Sequence, residues 1–221
     1  MRIGGFQKFS LIDYPGKMAA IVFTQGCNFR CPYCHNRELV LPEEFKEPIP
    51  QEEVMGFLKR RRCQLEGVVI TGGEPTEQAD LVPFIGSVKE LGYQVKLDTN
   101  GSRPQVIRET IQRRLVDYIA MDVKTSLEKY QKAIGVRFPA EIIKESIDLI
   151  KGSGIQHEFR TTVVQPFCDQ EDVSKVSILV NGAQTYRLQT FRAGPKIINL
   201  NLRDIPQITE QQIEAWGKCL H

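Results

Sequence analysis

The chain has 221 residues, 25% of them charged, with a formal net charge of +2. That length suits one well-buried core, and neither the amount nor the balance of charge points to a nucleic-acid binder. No apolar run approaches the length of a membrane span, and the stretch from Met1 to Lys8 lacks a signal peptide's apolar core, so a cytoplasmic protein with no membrane partner is expected.

Short β-branched apolar runs alternate with segments of helical period, the pattern of a parallel sheet with crossover helices. The first predicted strand runs from Met18 to Thr24. After Pro50 an amphipathic stretch carries Val54, Phe57 and Leu58 on one face and ends in Arg60, Arg61 and Arg62, a run suited to the solvated, negative end of a helix dipole. A second strand, Gly67 to Thr71, leads to a helix bearing Leu81, Phe84, Ile85, Val88 and Leu91 that closes at Gly92. Gln94 to Asp98 is the third strand. Ser102 and Pro104 open the next helix, with Val106, Ile107, Ile111 and Leu115 facing inward.

Tyr118 to Asp122 is the fourth strand, followed by a short helix over Ser126 to Ile134 and a longer one after Pro139 with Ile142, Ile143, Ile147 and Ile150. The fifth strand, His157 to Val164, feeds a helix with Val173, Val176 and Val180 that ends at Asn181 and Gly182. Thr185 to Thr190 is the sixth. Thr209 and Gln212 form a capping-box pattern ahead of Ile213 and Trp216, which places a last helix at about 209–217 on the outside.

Six strand–helix units fall short of a closed eight-unit barrel, which takes roughly 250 residues. The expected fold is therefore α/β: a partial (β/α)6 TIM-like barrel, open on one side, with a core over about 18–192 inside a single domain of 221 residues. In such folds reactive groups gather on the loops after the C-terminal ends of strands.

The loop after the first strand holds Cys27, Cys31 and Cys34 in C-x3-C-x2-C spacing. Thiolates are soft ligands for iron–sulfur clusters or zinc, and such centres usually take four of them. Three leave one coordination position open, which marks reactive chemistry rather than bracing. The triplet is too tight for sensible internal pairing and points to a reducing compartment, while Cys63, Cys168 and Cys219 are isolated thiols. His35 beside the triplet is read as a residue that orders the loop.

The later strand ends are also unusual. Thr71-Gly72-Gly73-Glu74-Pro75 follows the second strand, where two glycines let the backbone approach a ligand and Glu74 offers an acceptor for an ammonium group. Asp98-Thr99-Asn100-Gly101 follows the third. Asp122 and Lys124 close the fourth, and a turn plus a buried ion pair between them is the plainer alternative. Arg160 on the fifth strand needs an anionic partner if it faces inward, either a bound carboxylate or Glu158 or a neighbouring aspartate.

Taken in order, C-x3-C-x2-C with an aromatic Tyr33 before the third cysteine, then GGEP, DTNG and D-x-K, resemble the radical S-adenosylmethionine (SAM) enzymes, most closely the glycyl-radical-enzyme activases of the anaerobic ribonucleoside-triphosphate reductase branch. The resemblance spans roughly Leu11 to Arg192 and includes Ser10 to Gly16. It implies a [4Fe-4S] cluster on Cys27, Cys31 and Cys34, with SAM chelating the remaining iron. Cofactor contacts would come from Tyr33 near the adenine, from Gly72, Gly73 and Glu74 at the amino group, and from Asn100, Lys124 and Arg160. Asp98, Thr99 and Asp122 would surround a monovalent cation. Where many activases carry a SAM-contacting histidine, this chain has Phe191, which is left without a role.

The implied reaction is reductive cleavage of SAM to a 5′-deoxyadenosyl radical, fed by a flavodoxin or ferredoxin-type reductant. The radical would then take a hydrogen from a glycine of a glycyl-radical enzyme, an anaerobic ribonucleotide reductase. No side chain is needed as a nucleophile or general acid. A small-molecule reaction like that of 7-carboxy-7-deazaguanine synthase is the alternative, and a non-catalytic electron carrier or zinc module the third.

Overall fold

The computed structural model describes residues 1–218, so Cys219 lies outside the described residues. Seven strands form one sheet in the order β1 to β7, each hydrogen-bonded to the next in sequence. They are β1 (Ile3–Ser10), β2 (Ala19–Thr24), β3 (Gly67–Gly72), β4 (Gln94–Thr99), β5 (Tyr118–Asp122), β6 (Gln156–Val163) and β7 (Tyr186–Thr190). From β2 to β7 every pairing is parallel. These are the six strands read from the sequence, within one or two residues at each end.

β1 was not anticipated. It pairs antiparallel with β2 and adds a seventh strand at the sheet's edge. Its sequence, IGGFQKFS, has neither a continuous apolar run nor a clean alternation, because only its two ends are buried. With β1 and β7 at opposite ends of the strand order, the barrel is partial and open.

The connections are α1 (Arg37–Val40), α2 (Gln51–Arg61), α3 (Leu81–Glu90), α4 (Pro104–Gln112), α5 (Tyr130–Ile134), α6 (Glu141–Lys151), α7 (Gln170–Leu179) and α8 (Glu210–Lys218). Their apolar stripes are buried as the periodicity requires: Leu81, Phe84, Ile85 and Val88 on α3, and Ile143, Ile147 and Ile150 on α6. Arg60, Arg61 and Arg62 lie exposed at the end of α2. At α8 the capping box is reciprocal, Thr209 N donating to Gln212 Oε1 at 2.9 Å and Gln212 N to Thr209 Oγ1 at 3.2 Å. Ile213 then packs with Val163, Val173 and Ile208 on the outer face of the sheet.

Strand parity decides what enters the lumen, since alternate side chains share a face. Near its lower end Tyr14, Ile21, Val69, Tyr118 and Ala120 form a small apolar plug. Toward the C-terminal ends the same parity delivers Asp98, Asp122, Arg160 and Gln189 to a common cavity. Opposite parity on the same strands supplies the core under the helices, including Leu97, Ile119 and Phe159.

Candidate cofactor site

β2 hands over to the cysteine loop at Gly26, whose φ of +106° favours glycine. The loop is then fastened from both sides. Arg30 N donates to Ile134 O at 2.8 Å, and Phe29 is buried with its ring 5.1 Å from Phe138 and 6.5 Å from Tyr130. The Arg30 guanidinium caps the Cys27 and Phe29 carbonyls at 2.5 and 2.8 Å. From the other side Ile198 N and Asn199 N donate to the carbonyls of Cys34 and Pro32 at 3.2 and 2.8 Å. His35 Nε2 meets the Arg192 carbonyl at 2.7 Å, so it ties the loop to the chain after β7.

Cys27, Cys31 and Cys34 line one cavity of about 300 Å³. Burial pushes the Cys27 thiol up to about 12 and the Cys31 thiol up to about 11, and raises Cys34 as well. Such thiols ionise when a metal centre supplies the compensating charge. Two N–H groups already point at the Cys27 sulfur, Phe29 N at 3.4 Å and Asn100 Nδ2 at 3.9 Å, the kind of contact that tunes a cluster's potential. Among the described residues no three His, Cys, Asp or Glu side chains gather around a single ion. A cubane spreads its cysteines over different irons and does not require that they do.

The GGEP and DTNG turns form the rim of this cavity and are joined by Glu74. Only 1% exposed, its carboxylate accepts from Thr76 N at 3.1 Å, Thr76 Oγ1 at 2.5 Å, Thr99 Oγ1 at 2.7 Å and Asn100 N at 2.7 Å. Burial still raises its carboxyl above the ordinary value against those four donors. Sequence reading offered this carboxylate to an ammonium group; here its acceptor positions serve the protein, and it staples two loops. The glycines likewise answer to the fold. A Cβ on Gly73 would run into the Gly26 carbonyl oxygen, and Gly72, at φ +122°, lies against the Thr24 backbone.

Below the rim a chain of ion pairs crosses the lumen. Lys124 Nζ lies 3.1 Å from Asp122 Oδ2; Arg160 Nε lies 2.8 Å from Asp122 Oδ1 and Arg160 Nη1 3.5 Å from Asp98 Oδ2; Lys96 Nζ reaches Asp98 Oδ1 at 2.6 Å. Glu158 is 3.9 Å from Arg160 and 2.9 Å from Arg187. Burial alone would raise the Asp122 carboxyl, but Arg160 and Lys124 hold it well below the usual carboxylate range. The same partners keep Lys124 and Arg160 protonated against desolvation. Both alternatives weighed for Lys124 and Arg160 therefore begin from an internal ion pair, and the carboxylates Asp98 and Asp122 already face protein cations.

All the sequence-predicted site residues line the one cavity except Tyr33. That ring is buried beneath the loop, 5.7 Å from Phe167 and 6.3 Å from Phe191, and its hydroxyl has no hydrogen-bond partner among the described residues. Phe191 is thus a packing partner of the cysteine loop. Sequence reading missed Asn36, Thr71 and Gln189, which also line the cavity, and Lys96, buried beside Asp98. Strand parity from Asp98 and Arg160 is the signal that could have found Lys96 and Gln189.

The Radical SAM superfamily model matches residues 21–176, a span that starts in β2 and takes in the cysteine, GGEP and DTNG loops and the strand ends through Arg160. The chain belongs to the radical SAM superfamily. Membership implies a [4Fe-4S] cluster and SAM as cofactors, and the open α/β barrel is the family's partial TIM-like architecture. A Methanocaldococcus jannaschii protein named as a glycyl-radical enzyme activating enzyme is 37% identical over 222 residues, covering 98% of this chain and 90% of that protein. The pyruvate formate-lyase 1-activating enzyme of Escherichia coli is 29% identical over 179 residues, covering 77% of this chain and 71% of its own. Among solved structures, Streptococcus suis SuiB bound to S-adenosylmethionine shares the fold with a TM-score of 0.68 at 14% identity, over 90% of this chain and 45% of that one. No helix among the described residues is long and apolar enough to cross a membrane.

Proposed function

We propose that this radical SAM enzyme is a glycyl-radical-enzyme activase whose target is an anaerobic ribonucleoside-triphosphate reductase. The observation that carries the activase reading is the 37% identity, along 98% of the chain, to a protein named for that activity. The ribonucleotide-reductase target rests on the ordered motifs from Ser10 to Lys124. Bound in this cavity, the cluster and SAM supply one-electron cleavage of a carbon–sulfur bond and, through it, hydrogen-atom abstraction.

The chain's own residues fit that pair. Cys27, Cys31 and Cys34 would ligate three irons, with the Phe29 and Asn100 N–H groups directed at one sulfur. The backbone of Gly72 and Gly73 would face the SAM amino group, held there because Glu74 ties their loop to Thr99 and Asn100. Lys124 and Arg160, already charged, would meet the SAM carboxylate, and Asp98, Thr99 and Asp122 would stand around any monovalent cation beside it. Tyr33 lies beneath the cysteine loop and outside the cavity lining, so its part toward the adenine would be to brace that loop from behind. Charges already fixed by their ion pairs would stabilise a bound zwitterion without reorganising.

Anaerobic reconstitution, reduction by a flavodoxin or ferredoxin-type protein, and addition of SAM with the reductase tests the proposal. A glycyl doublet in the EPR spectrum of the reductase is expected. Deoxyadenosine accumulating with the reductase EPR-silent would overturn it and favour a small-molecule substrate.

A further inference from the structure

The two edges of the open sheet are finished differently. β1 is blunted: its ladder with β2 shifts register between Ile3 and Gly5 and again between Gln7 and Ser10, and Ile49 N donates to its outer side at Ile3 O, 2.8 Å away. Bulges and covering segments are how proteins close an edge to other strands. β7 has no bulge, and α8 packs against it on the outer face, where Ile213 and Leu188 share one apolar cluster. Its five pairs with β6 run without a shift, and the strand contains no proline.

Parity shows which groups of β7 are left over. Phe159 N donates to Thr185 O at 2.9 Å, so in this parallel register the backbone groups of Thr185, Arg187 and Gln189 face β6. Those of Tyr186, Leu188 and Thr190 point away from the sheet, and among the described residues no backbone group pairs with them. The strand is also flanked by a cavity on each face. On the outer face a groove of about 560 Å³ is lined by Tyr186 and Leu188 with Val180, Ala183 and Ile213. On the lumen face a cavity of about 370 Å³ is lined by Arg187 and Gln189 with Ile12 and Arg160, and Gln189 and Arg160 also line the cysteine-bearing cavity.

An unpaired edge with pockets alternating on its two faces is the arrangement that recognises an extended polypeptide by strand addition, main chain for affinity and alternate side chains for selectivity. We propose that β7 is the docking strip for the protein substrate, whose target segment adds to the sheet as an eighth strand. This deepens, and rests on, the reading that the substrate is a polypeptide glycine. The occupant is an extended segment with apolar side chains at its outward positions, over the groove beside Leu188, and glycine or small polar residues at its inward positions. Gln189 lines the cysteine-bearing cavity, so an inward position of the added strand at its level faces the lumen. Glycine there leaves a Cα hydrogen directed at the cavity the cysteines share, which gives the edge a reason to select it.

The test uses cluster-loaded protein and the peptide acetyl-VSVGVSV-amide, with two analogues N-methylated either at the valines or at the serines and glycine. Hydrogen exchange should slow at the Leu188 and Thr190 amides by about tenfold or more when the parent peptide binds, as expected for newly formed ladder bonds. One analogue should lose that protection and the other keep it, the sensitive set reporting whether the strand adds parallel or antiparallel. Equal behaviour of the two analogues, or unchanged exchange at both amides with millimolar parent peptide, overturns the proposal. Thr190→Pro, which removes an N–H facing away from β6, should abolish binding while SAM cleavage without partner stays unchanged. The methylated pair decides the matter even where that variant fails to fold. A dimer in sedimentation that the parent peptide does not dissociate but Thr190→Pro does would also overturn it, since a second copy would then cover the edge. Edge protection with no glycyl radical in the reductase would fail the activase reading alone; wild-type radical yield with Thr190→Pro would fail the docking strip alone.

Discussion

Glu74 and Asp122 line the same cavity, yet they are held in opposite ways. Glu74 is sealed from solvent, meets four neutral donors and, among the described residues, no ion-pair partner, and its carboxyl is raised. Asp122, with a third of its side chain exposed, lies between Arg160 and Lys124 and its carboxyl is lowered. The rim of the pocket is therefore set by hydrogen-bond geometry and the lumen by charge. One carboxylate positions loops; the other sets the field in which a zwitterionic cofactor would bind.

The sharpest way to break this contrast is to remove the lumen's shared cation. Arg160→Met removes the cation that Asp98, Asp122 and Glu158 share and leaves each with one other partner, Lys96, Lys124 and Arg187, so the cost should sit at or below the lower end of the about 3–5 kcal/mol of a fully broken buried pair. Thermal or denaturant unfolding should register that loss, and Arg160→Lys should recover part of it. SAM affinity should fall in step, measured by calorimetry on cluster-loaded protein.

Glu74→Gln tests the rim. Its new amide would set an N–H against the Asn100 N–H, leaving buried donors unsatisfied at about 1–3 kcal/mol. Gly73→Ala attacks the same junction from the other strand end, where overpacking against the Gly26 carbonyl should cost about 1–3 kcal/mol. Both variants should loosen the two loops, seen as faster amide exchange at Thr76 and Asn100, while the lumen ion pairs stay intact.

The smallest effect is in pH dependence, and it has opposite signs at the two sites. Asp122's lowered carboxyl stabilises the fold fully above the unfolded aspartate value of about 3.9, and that contribution is lost as pH falls through the folded value. Glu74's raised carboxyl does the reverse, costing stability as pH climbs from the unfolded value of about 4.3 through the folded one. Comparing the wild type with Asp122→Asn and Glu74→Gln in unfolding experiments from pH 3 to 7 should therefore give difference curves of opposite slope. Parallel curves would show that the two carboxylates share one environment.

Most of the fold was legible because the parallel strands are buried on both faces and read as apolar runs, Ala19–Thr24 and Gly67–Gly72 among them. β1 escaped because an edge strand with glycines at positions 4 and 5 and exposure along its middle carries no periodic signal. At the site, spacing alone exposed the cysteine triplet, and the strand-end motifs gathered into one cavity. What those motifs do locally was not legible. Glu74's partners Thr99 and Asn100 come from 25 and 26 residues away, and no local pattern reveals that its acceptor positions are already taken. Lys96, buried two residues before Asp98, reads as a polar surface position until the lumen face of β4 is known.

The central claim is that Cys27, Cys31 and Cys34 hold a cubane whose fourth iron is open to SAM. EPR of the reduced, anaerobically reconstituted protein with and without SAM tests it most directly. A [4Fe-4S] signal whose g-values shift when SAM is added, and which disappears in a Cys31→Ala variant, is the predicted result. A cluster signal indifferent to SAM, or zinc in place of iron, would contradict it.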